Sequence, residues 1–202
     1  AGQFISGPEV KILENTLSNY VGSECITVAN GTDALSIALM SIGTGPGDEV
    51  ILPSFTWVST AEVVCQLGAK PVFIDIDENF VIDIKKLEEK INTHTKAILP
   101  VSMFGRCPNL KTIKELALKH KIYTIEDAAQ SFGAKSDGNM SCSVLDIATT
   151  SFFPSKPLGC YGDGGAIFSS NEDLLEKLRV IPKHGQSGRY NYVEIGMNSR
   201  LD

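Results

Sequence analysis

The stretch KAILPVSMFGRCPNLKTIKELALKHKIYTIEDAAQ, residues 96–130, shows how this chain is built. Its apolar run Ala97–Val101 predicts a strand, and Ile122–Ile125 predicts a second one. The spacing of apolar residues across 109–120 predicts a helix between them. A helix that joins two short apolar strands is typical of a βαβ crossover, in which the strands lie parallel in one sheet. The stretch therefore predicts the α/β fold class.

The same alternation continues toward the N-terminus, where helices and short strands follow one another. The predicted strands there are Cys25–Val28, Val50–Leu52 and Pro71–Asp75. The predicted helices cover Val10–Val21, 32–42, 57–67 and 84–91. Because strands of this kind are joined through helices, we expect a mainly parallel sheet flanked by helices, with ligands bound at the carboxyl ends of the strands.

The alternation of predicted helices and strands changes after residue 140. Ile147–Phe152 and Ala166–Ser169 predict two strands with no helix between them, and a helix follows at 172–181. Neighbouring strands joined without a crossover helix favour antiparallel pairing. We therefore expect one antiparallel pair within the mainly parallel sheet.

Composition excludes several classes of function. The chain has 202 residues, 18 Lys and Arg against 24 Asp and Glu, and a formal net charge of −6. This balance argues against a nucleic-acid-binding surface, and the apolar runs are far shorter than the roughly 20 residues that cross a bilayer. The five cysteines form no Cys-x-x-Cys pair. We expect reduced thiols, a cytoplasmic protein and no metal site.

The segment Asn30-Gly31-Thr32 lies where a predicted strand ends and a helix begins. The free N–H groups and the dipole at a helix N-terminus attract anions, and the Thr32 hydroxyl adds a donor. Threonine is also an ordinary residue at a helix start. Taken alone, this segment fits a phosphate site and a plain helix cap.

Two more segments carry residues suited to chemistry. Asp127 directly follows an apolar strand, and a buried carboxylate needs a metal, a cation or a protonated heterocycle as its partner. A cap for the following Ala128-Ala129 segment is the structural alternative. Lys156 is the one charge in the aromatic, proline-flanked run SFFPSKPLG, where desolvation would favour Schiff-base chemistry. A surface lysine is the alternative there.

Together, a phosphate anchor, a strand-end aspartate and a lysine are what pyridoxal phosphate requires. The phosphate would take the helix start at Thr32, Asp127 would keep the pyridine nitrogen protonated, and Lys156 would hold the aldehyde. Trp57 offers an aromatic face for the ring, although a core or interface tryptophan would fit the same sequence.

Several long motifs, in order along the chain, resemble the DegT/StrS-type nucleotide-sugar aminotransferases. They are FISGPEV, ANGTDAL, GPGDEVILPSFTWVSTA, KPVFIDID, IEDAAQSFGA, FFPSKPLGCYGDGGA, HGQ and GMNSRLD. The resemblance implies the aspartate-aminotransferase-like fold, fold type I. It also implies that residues 1–202 form the cofactor-binding large domain of a longer chain, with the small C-terminal domain outside them.

The same resemblance implies a role for each matched residue. Lys156 would form the Schiff base and move protons, Asp127 would pair with the pyridine nitrogen, and Gln130 would lie beside the ring hydroxyl. Trp57 would stack on the ring. The implied phosphate-binding residues are Gly31, Thr32, Ser151 and, reaching across a homodimer, Asn198. The implied substrate residues are His184, Arg200, Phe4 and Ser6.

The reaction implied is ping-pong transamination, with glutamate as amino donor and a nucleotide-linked keto sugar as acceptor. FFPSKPLGCYGDGGA and EDAAQSFGA are most similar to the branch that aminates a UDP-linked 3-keto N-acetylated sugar acid for surface polysaccharides. A sugar dehydratase of the same family would carry His where this chain has Lys156. Two further hypotheses are a desulfurase on the same fold and a dimer-forming module that binds the cofactor without catalysis.

Overall fold

The computed structural model describes residues 5–201, which form three layers, with helices on both faces of a seven-stranded sheet. The five helices are α1 (Pro8–Val21), α2 (Gly31–Ser41), α3 (Ser59–Gln66), α4 (Leu110–His120) and α5 (Glu172–Val180). The sheet contains β1 (Glu24–Val28), β2 (Glu49–Pro53), β3 (Lys70–Ile74), β4 (Thr95–Ile98), β5 (Tyr123–Asp127), β8 (Ile147–Ser151) and β9 (Gly165–Ser169). Two short hairpins lie outside it, β6 (Lys135–Ser136) with β7 (Asn139–Met140) and β10 (Gln186–Gly188) with β11 (Asn191–Tyr192).

The strand order is β1-β9-β8-β5-β4-β2-β3, and only β9 runs against the other strands of this sheet. Strands β8, β5, β4, β2 and β3 pair in parallel, as the crossover helices require. The antiparallel pairing of β8 with β9 is also as predicted. The mainly parallel α/β fold is therefore confirmed.

The core lies on both faces because successive strand residues point to opposite sides. Val50 and Leu52 pack into the cluster under α2, α3 and α5, whereas Ile51 between them packs against α4. Six of the eleven residues of helix α2 are buried and none is exposed, as its nearly continuous apolar sequence predicts. Its first turn is consequently held rigidly against the ends of β8 and β9.

The predicted helix at 84–91 is wrong. Residues 84–86 and 88–90 form two separate 3₁₀ turns, and Asp83 caps the first by accepting a hydrogen bond from the N–H of Lys85. Ile84 and the buried Leu87 are three residues apart, which a 3₁₀ turn places on one face. So short a segment gains more from seating Leu87 in the core than from completing an α-helix.

The predicted strand Ala97–Val101 is also too long, since β4 ends at Ile98. Pro100 has no N–H to continue the ladder, and Val101 keeps only an isolated bridge to Asp127. The two short hairpins were not predicted, because pairs of two or three residues carry no readable alternation.

Candidate functional site

A cavity of about 500 Å³ lies where β5 and β8 end and α2 begins. Seven of the residues singled out in the sequence line this cavity, which we call the strand-end cavity. They are Gly31, Thr32, Trp57, Asp127, Gln130, Ser151 and Lys156. The fold brings them together from four separate segments, 31–32, 57, 127–130 and 151–156, as expected for the carboxyl edge of a parallel sheet.

Asp127, the last residue of β5, provides a buried carboxylate at this cavity. Its Oδ2 accepts a hydrogen bond from the Thr60 hydroxyl at 3.0 Å, and its Oδ1 accepts one from the N–H of Ala129 at 3.1 Å. Burial raises the pKa of Asp127, while these two donors and the charge of Lys156 act in the opposite direction. Turns and not a helix follow Asp127, so the alternative that Asp127 is a helix cap is wrong. The bond from Ala129 leaves lone pairs of the carboxylate for a ligand.

Its neighbour Glu126 is also fully buried but takes part in a different network. It accepts hydrogen bonds from the hydroxyls of Ser102 and Ser141, at 2.7 and 2.8 Å, and from the N–H of Cys142 at 2.9 Å. Burial raises the pKa of this carboxyl as well. Because adjacent residues of a strand point to opposite faces, only Asp127 of this acidic pair lines the cavity.

The wall formed by the start of α2 suits an anion. Asn30 caps the helix by accepting from the N–H of Asp33 at 2.8 Å, so the first helical residues are Gly31 and Thr32. The first N–H groups of a helix have no partner within it. Gly31 lies against Ser151, the last residue of β8, so that the helix N-terminus and a serine hydroxyl meet at one point of the cavity.

Lys156 lies in the connection between β8 and β9 and is half-buried. Its N–H donates to the carbonyl of Phe153 at 2.8 Å, which closes a turn around Pro154. A Cβ at Gly159 would lie 2.6 Å from the carbonyl oxygen of Pro154, so the loop is tightly folded on itself. This folding presents the lysine to the cavity that Asp127 lines.

Trp57 and Gln130 complete the lining of the cavity. The Trp57 side chain is 70% exposed, so its ring is available to a ligand rather than used in the core. The Gln130 Oε1 accepts a hydrogen bond from the N–H of Phe104 at 3.1 Å. That bond leaves the amide nitrogen of Gln130 free of this contact and able to donate.

The remaining candidates lie elsewhere. Ser6 and Arg200 line a second cavity, of about 390 Å³, beside α1 and β1. His184 and Asn198 are exposed and line neither cavity; the N–H of His184 donates to the carbonyl of Met197, and Asn198 forms an isolated β-bridge with Lys183. Phe4 lies outside the described residues. The strand-end cavity therefore gathers the expected cofactor residues except Asn198, and, among residues 5–201, none of the expected substrate residues.

Several polar residues of this site were not predicted from the sequence. Thr56, Ser155 and Asp163 line the strand-end cavity, and Thr60 bonds directly to Asp127. Asp163 follows Lys156 closely in the chain and could have been suspected from that. Nothing local distinguishes Thr56 or Thr60 from other threonines at a helix start.

Residues 5–201 contain neither a cluster of metal-ligand side chains nor a helix of membrane-spanning length and hydropathy. No group of three or more His, Cys, Asp or Glu side chains in this range is placed to hold a metal ion. In the same part of the chain, no helix is long and apolar enough to cross a membrane.

The whole chain matches one family of known proteins. The profile of the DegT/DnrJ/EryC1/StrS aminotransferase family matches residues 1–202. UDP-2-acetamido-2-deoxy-3-oxo-D-glucuronate aminotransferase of Pseudomonas aeruginosa is 55% identical over all of this chain and 56% of its own length. The chain thus spans about half the length of the curated relatives it matches.

Solved structures of aminotransferases match the fold of this chain. A DegT DnrJ EryC1 StrS aminotransferase from Brucella abortus matches all of this chain and 57% of its own, with a TM-score of 0.95 and 44% identity. NtdA from Bacillus subtilis with bound cofactor PMP matches 99% of this chain and 46% of its own, with a TM-score of 0.93 and 37% identity. The fold is therefore that of the fold type I aminotransferases.

Proposed function

Because this chain belongs to the DegT/DnrJ/EryC1/StrS aminotransferase family, we propose that its protein is a pyridoxal-phosphate-dependent aminotransferase acting on a nucleotide-linked keto sugar. One observation carries the proposal. A buried aspartate, a half-buried lysine and a helix N-terminus converge on a single cavity of about 500 Å³.

The residues of the strand-end cavity fit this cofactor group by group. The start of α2 with the hydroxyls of Thr32 and Ser151 suits a phosphate, and the Asp127 carboxylate suits a protonated pyridine nitrogen. The Lys156 amine suits an aldehyde. The exposed Trp57 ring suits an aromatic plane, and the amide of Gln130 suits a ring hydroxyl. Each polar group of the cofactor thus has a complementary group in the cavity.

When bound, pyridoxal phosphate supplies an aldehyde that condenses with amines and a ring that withdraws electrons from the adjacent carbon. The protein supplies the rest. The Lys156 Nζ would carry a proton from the α carbon of the amino donor to the cofactor, and in the second half-reaction from the cofactor to the carbon of the acceptor sugar, as a positioned acid–base group does. Asp127 would hold a proton on the ring nitrogen, and Trp57 would pack against the ring. Both halves of a ping-pong transamination use the same lysine.

Substrate and partners follow from the likeness to the Pseudomonas aeruginosa enzyme, whose name specifies a UDP-linked 3-oxo sugar acid. The proposed acceptor is therefore a UDP-linked 3-keto N-acetylated sugar acid used in surface polysaccharides, with glutamate as donor. The exposed positions of His184 and Asn198 support a homodimer in which they complete a neighbouring site. The five free cysteines support a cytoplasmic location.

The first experiment tests the cofactor. The protein mixed with pyridoxal phosphate should show visible absorption that borohydride reduction removes, and Lys156→Ala should abolish it. Lys135→Ala, at an exposed position in β6, is the matched control and should behave as wild type. Persistence of the yellow species in Lys156→Ala would show that the lysine is misassigned.

The second experiment tests the reaction. Glutamate should convert the bound cofactor to its amine form, and mass spectrometry should then detect an aminated product from a UDP-linked 3-keto acceptor. Amination of a 4-keto acceptor without amination of the 3-keto acceptor would refute the proposed substrate. Binding of the cofactor without conversion by glutamate would favour a module without catalysis.

A further inference from the structure

Two threonines connect the wall of the strand-end cavity to its buried carboxylate. The Thr60 Oγ1 lies 3.0 Å from Asp127 Oδ2, and the Thr56 Oγ1 lies 3.0 Å from Thr60 Oγ1. Thr60 is fully buried, whereas Thr56 is half-buried and lines the cavity. The hydroxyls therefore form a chain from the cavity surface to Asp127.

The direction of this chain is determined by the carboxylate. An ionised carboxylate can only accept hydrogen bonds, so the single hydroxyl proton of Thr60 points to Asp127. The oxygen of Thr60 is then left as an acceptor, and the proton between the two threonines comes from Thr56. A proton on Asp127 Oδ2 would turn this oxygen into a donor and reverse the order, whereas the ionised carboxylate accepts the bond from Thr60 most strongly.

Thr60 is the second residue of α3, so no turn of this helix precedes it. Its hydroxyl is directed instead to Asp127, 67 positions along the chain. Because the side chain of Thr60 is β-branched, few χ1 rotamers are open to it, and its hydroxyl therefore restricts the orientation of the Asp127 carboxylate.

We propose that Thr60 is a positioning residue that orients Asp127 and keeps it ionised, and that Thr56, by donating to the Thr60 oxygen, strengthens the Thr60 hydroxyl as a donor to Asp127. The significance for catalysis rests on the proposed function, in which Asp127 faces the pyridine nitrogen. The charge of Lys156 across the cavity also favours the ionised form of Asp127, and the charge of Asp127 in turn raises the pKa of Glu126 on the same strand. Neither Lys156 nor Glu126 is altered by changes at Thr60.

The test measures the pKa of Asp127 directly in the cofactor-free protein, by carbon-13 NMR of labelled aspartate side chains. Asp127→Asn identifies the signal. Thr60→Val keeps the shape but removes the donor, and should raise the pKa of Asp127 by about 1, as expected for a lost hydrogen bond to a charged acceptor. Thr60→Ser should restore the wild-type value, and Thr56→Val should produce a smaller rise.

Thr124→Val is the matched control. Thr124 is a buried threonine on the same strand whose hydroxyl donates to another carboxylate, Asp146, at 2.8 Å. It should destabilise the protein without moving the pKa of Asp127. An equal rise in Thr124→Val would attribute the effect to general loosening and overturn the proposal.

The pKa of Asp127 in each threonine variant decides whether that threonine has the proposed role. An unchanged pKa of Asp127 in Thr60→Val would overturn the role of Thr60, whether or not the cofactor binds. If Thr60→Val raises the pKa of Asp127 but Thr56→Val does not, Thr56 has no part in holding Asp127. In protein titrated with pyridoxal phosphate, Thr60→Val should weaken binding by roughly tenfold. Failure of wild type to bind would refute the proposed function and leave the pKa measurement decisive for Thr60.

Discussion

Gly31 and Ser151 touch so closely that a Cβ added at Gly31 would lie 2.6 Å from the Cβ of Ser151. One is the first residue of α2 and the other the last of β8, so this contact sets where the helix N-terminus opens into the strand-end cavity. Glycine is required here by space, since its φ is not in the left-handed region.

Gly31→Ala should therefore destabilise the protein. Alanine gains at most about 1 kcal/mol of helix propensity, whereas overpacking a rigid contact costs about 1–3 kcal/mol, and we expect the clash to dominate. Chemical denaturation would measure the change. The double variant Gly31→Ala with Ser151→Gly removes the clashing Cβ and should recover much of the stability but not the affinity for pyridoxal phosphate. Wild-type stability in the single variant would contradict the contact.

Asp127→Asn should separate stability from cofactor binding. Burial raises the pKa of Asp127 above its ordinary 3.8, so the folded state binds its proton more tightly than the unfolded state. The stability contributed by this group is thus present below pH 3.8 and lost as pH rises through the folded pKa. Asparagine does not ionise, so this loss of stability does not occur in Asp127→Asn. Without cofactor, the free energy of unfolding of the variant should therefore rise relative to that of wild type as the pH rises. The variant should also bind pyridoxal phosphate poorly. A constant difference across the pH range would refute this.

Glu126→Ala should be among the costliest single changes in the chain. It leaves the hydroxyls of Ser102 and Ser141 and the N–H of Cys142 without their buried acceptor, at about 1–3 kcal/mol for each group left unpaired. Glu126→Gln keeps one oxygen acceptor and should cost clearly less. Denaturant unfolding of both variants would check the order, and equal losses would show that the volume of the side chain matters more than its acceptors.

Trp57→Ala should affect binding but not folding. The side chain is 70% exposed, so its removal should change the free energy of unfolding by no more than about 0.5 kcal/mol. Its ring lines the cavity, and affinity for pyridoxal phosphate should fall. Val58→Ala is the matched control, because Val58 is next in the chain, is 63% exposed and does not line the cavity. Equal affinities in the two variants would exclude Trp57 as a stacking residue.

The sequence by itself determined the element types and the strand-end positions. Apolar periodicity is a local property, so the strands β1 to β5, the helix α2 and the antiparallel pair β8–β9 could be predicted within a few residues. Local reasoning was wrong where a core contact or a proline overrode the pattern, at residues 84–91 and after Ile98. The motifs around Thr32, Asp127 and Lys156 also carried the family resemblance.

Only the tertiary structure decided which side chains share a cavity. Residues 31, 60, 127 and 156 are far apart in sequence and meet because the crossover helices return each strand to the same edge of the sheet. The same geometry directs Asp127 into the cavity and Glu126 away from it, and puts Ser6 and Arg200 at a different cavity. Burial then sets the chemistry, because the cost of desolvating a carboxylate depends on neighbours that sequence order does not reveal.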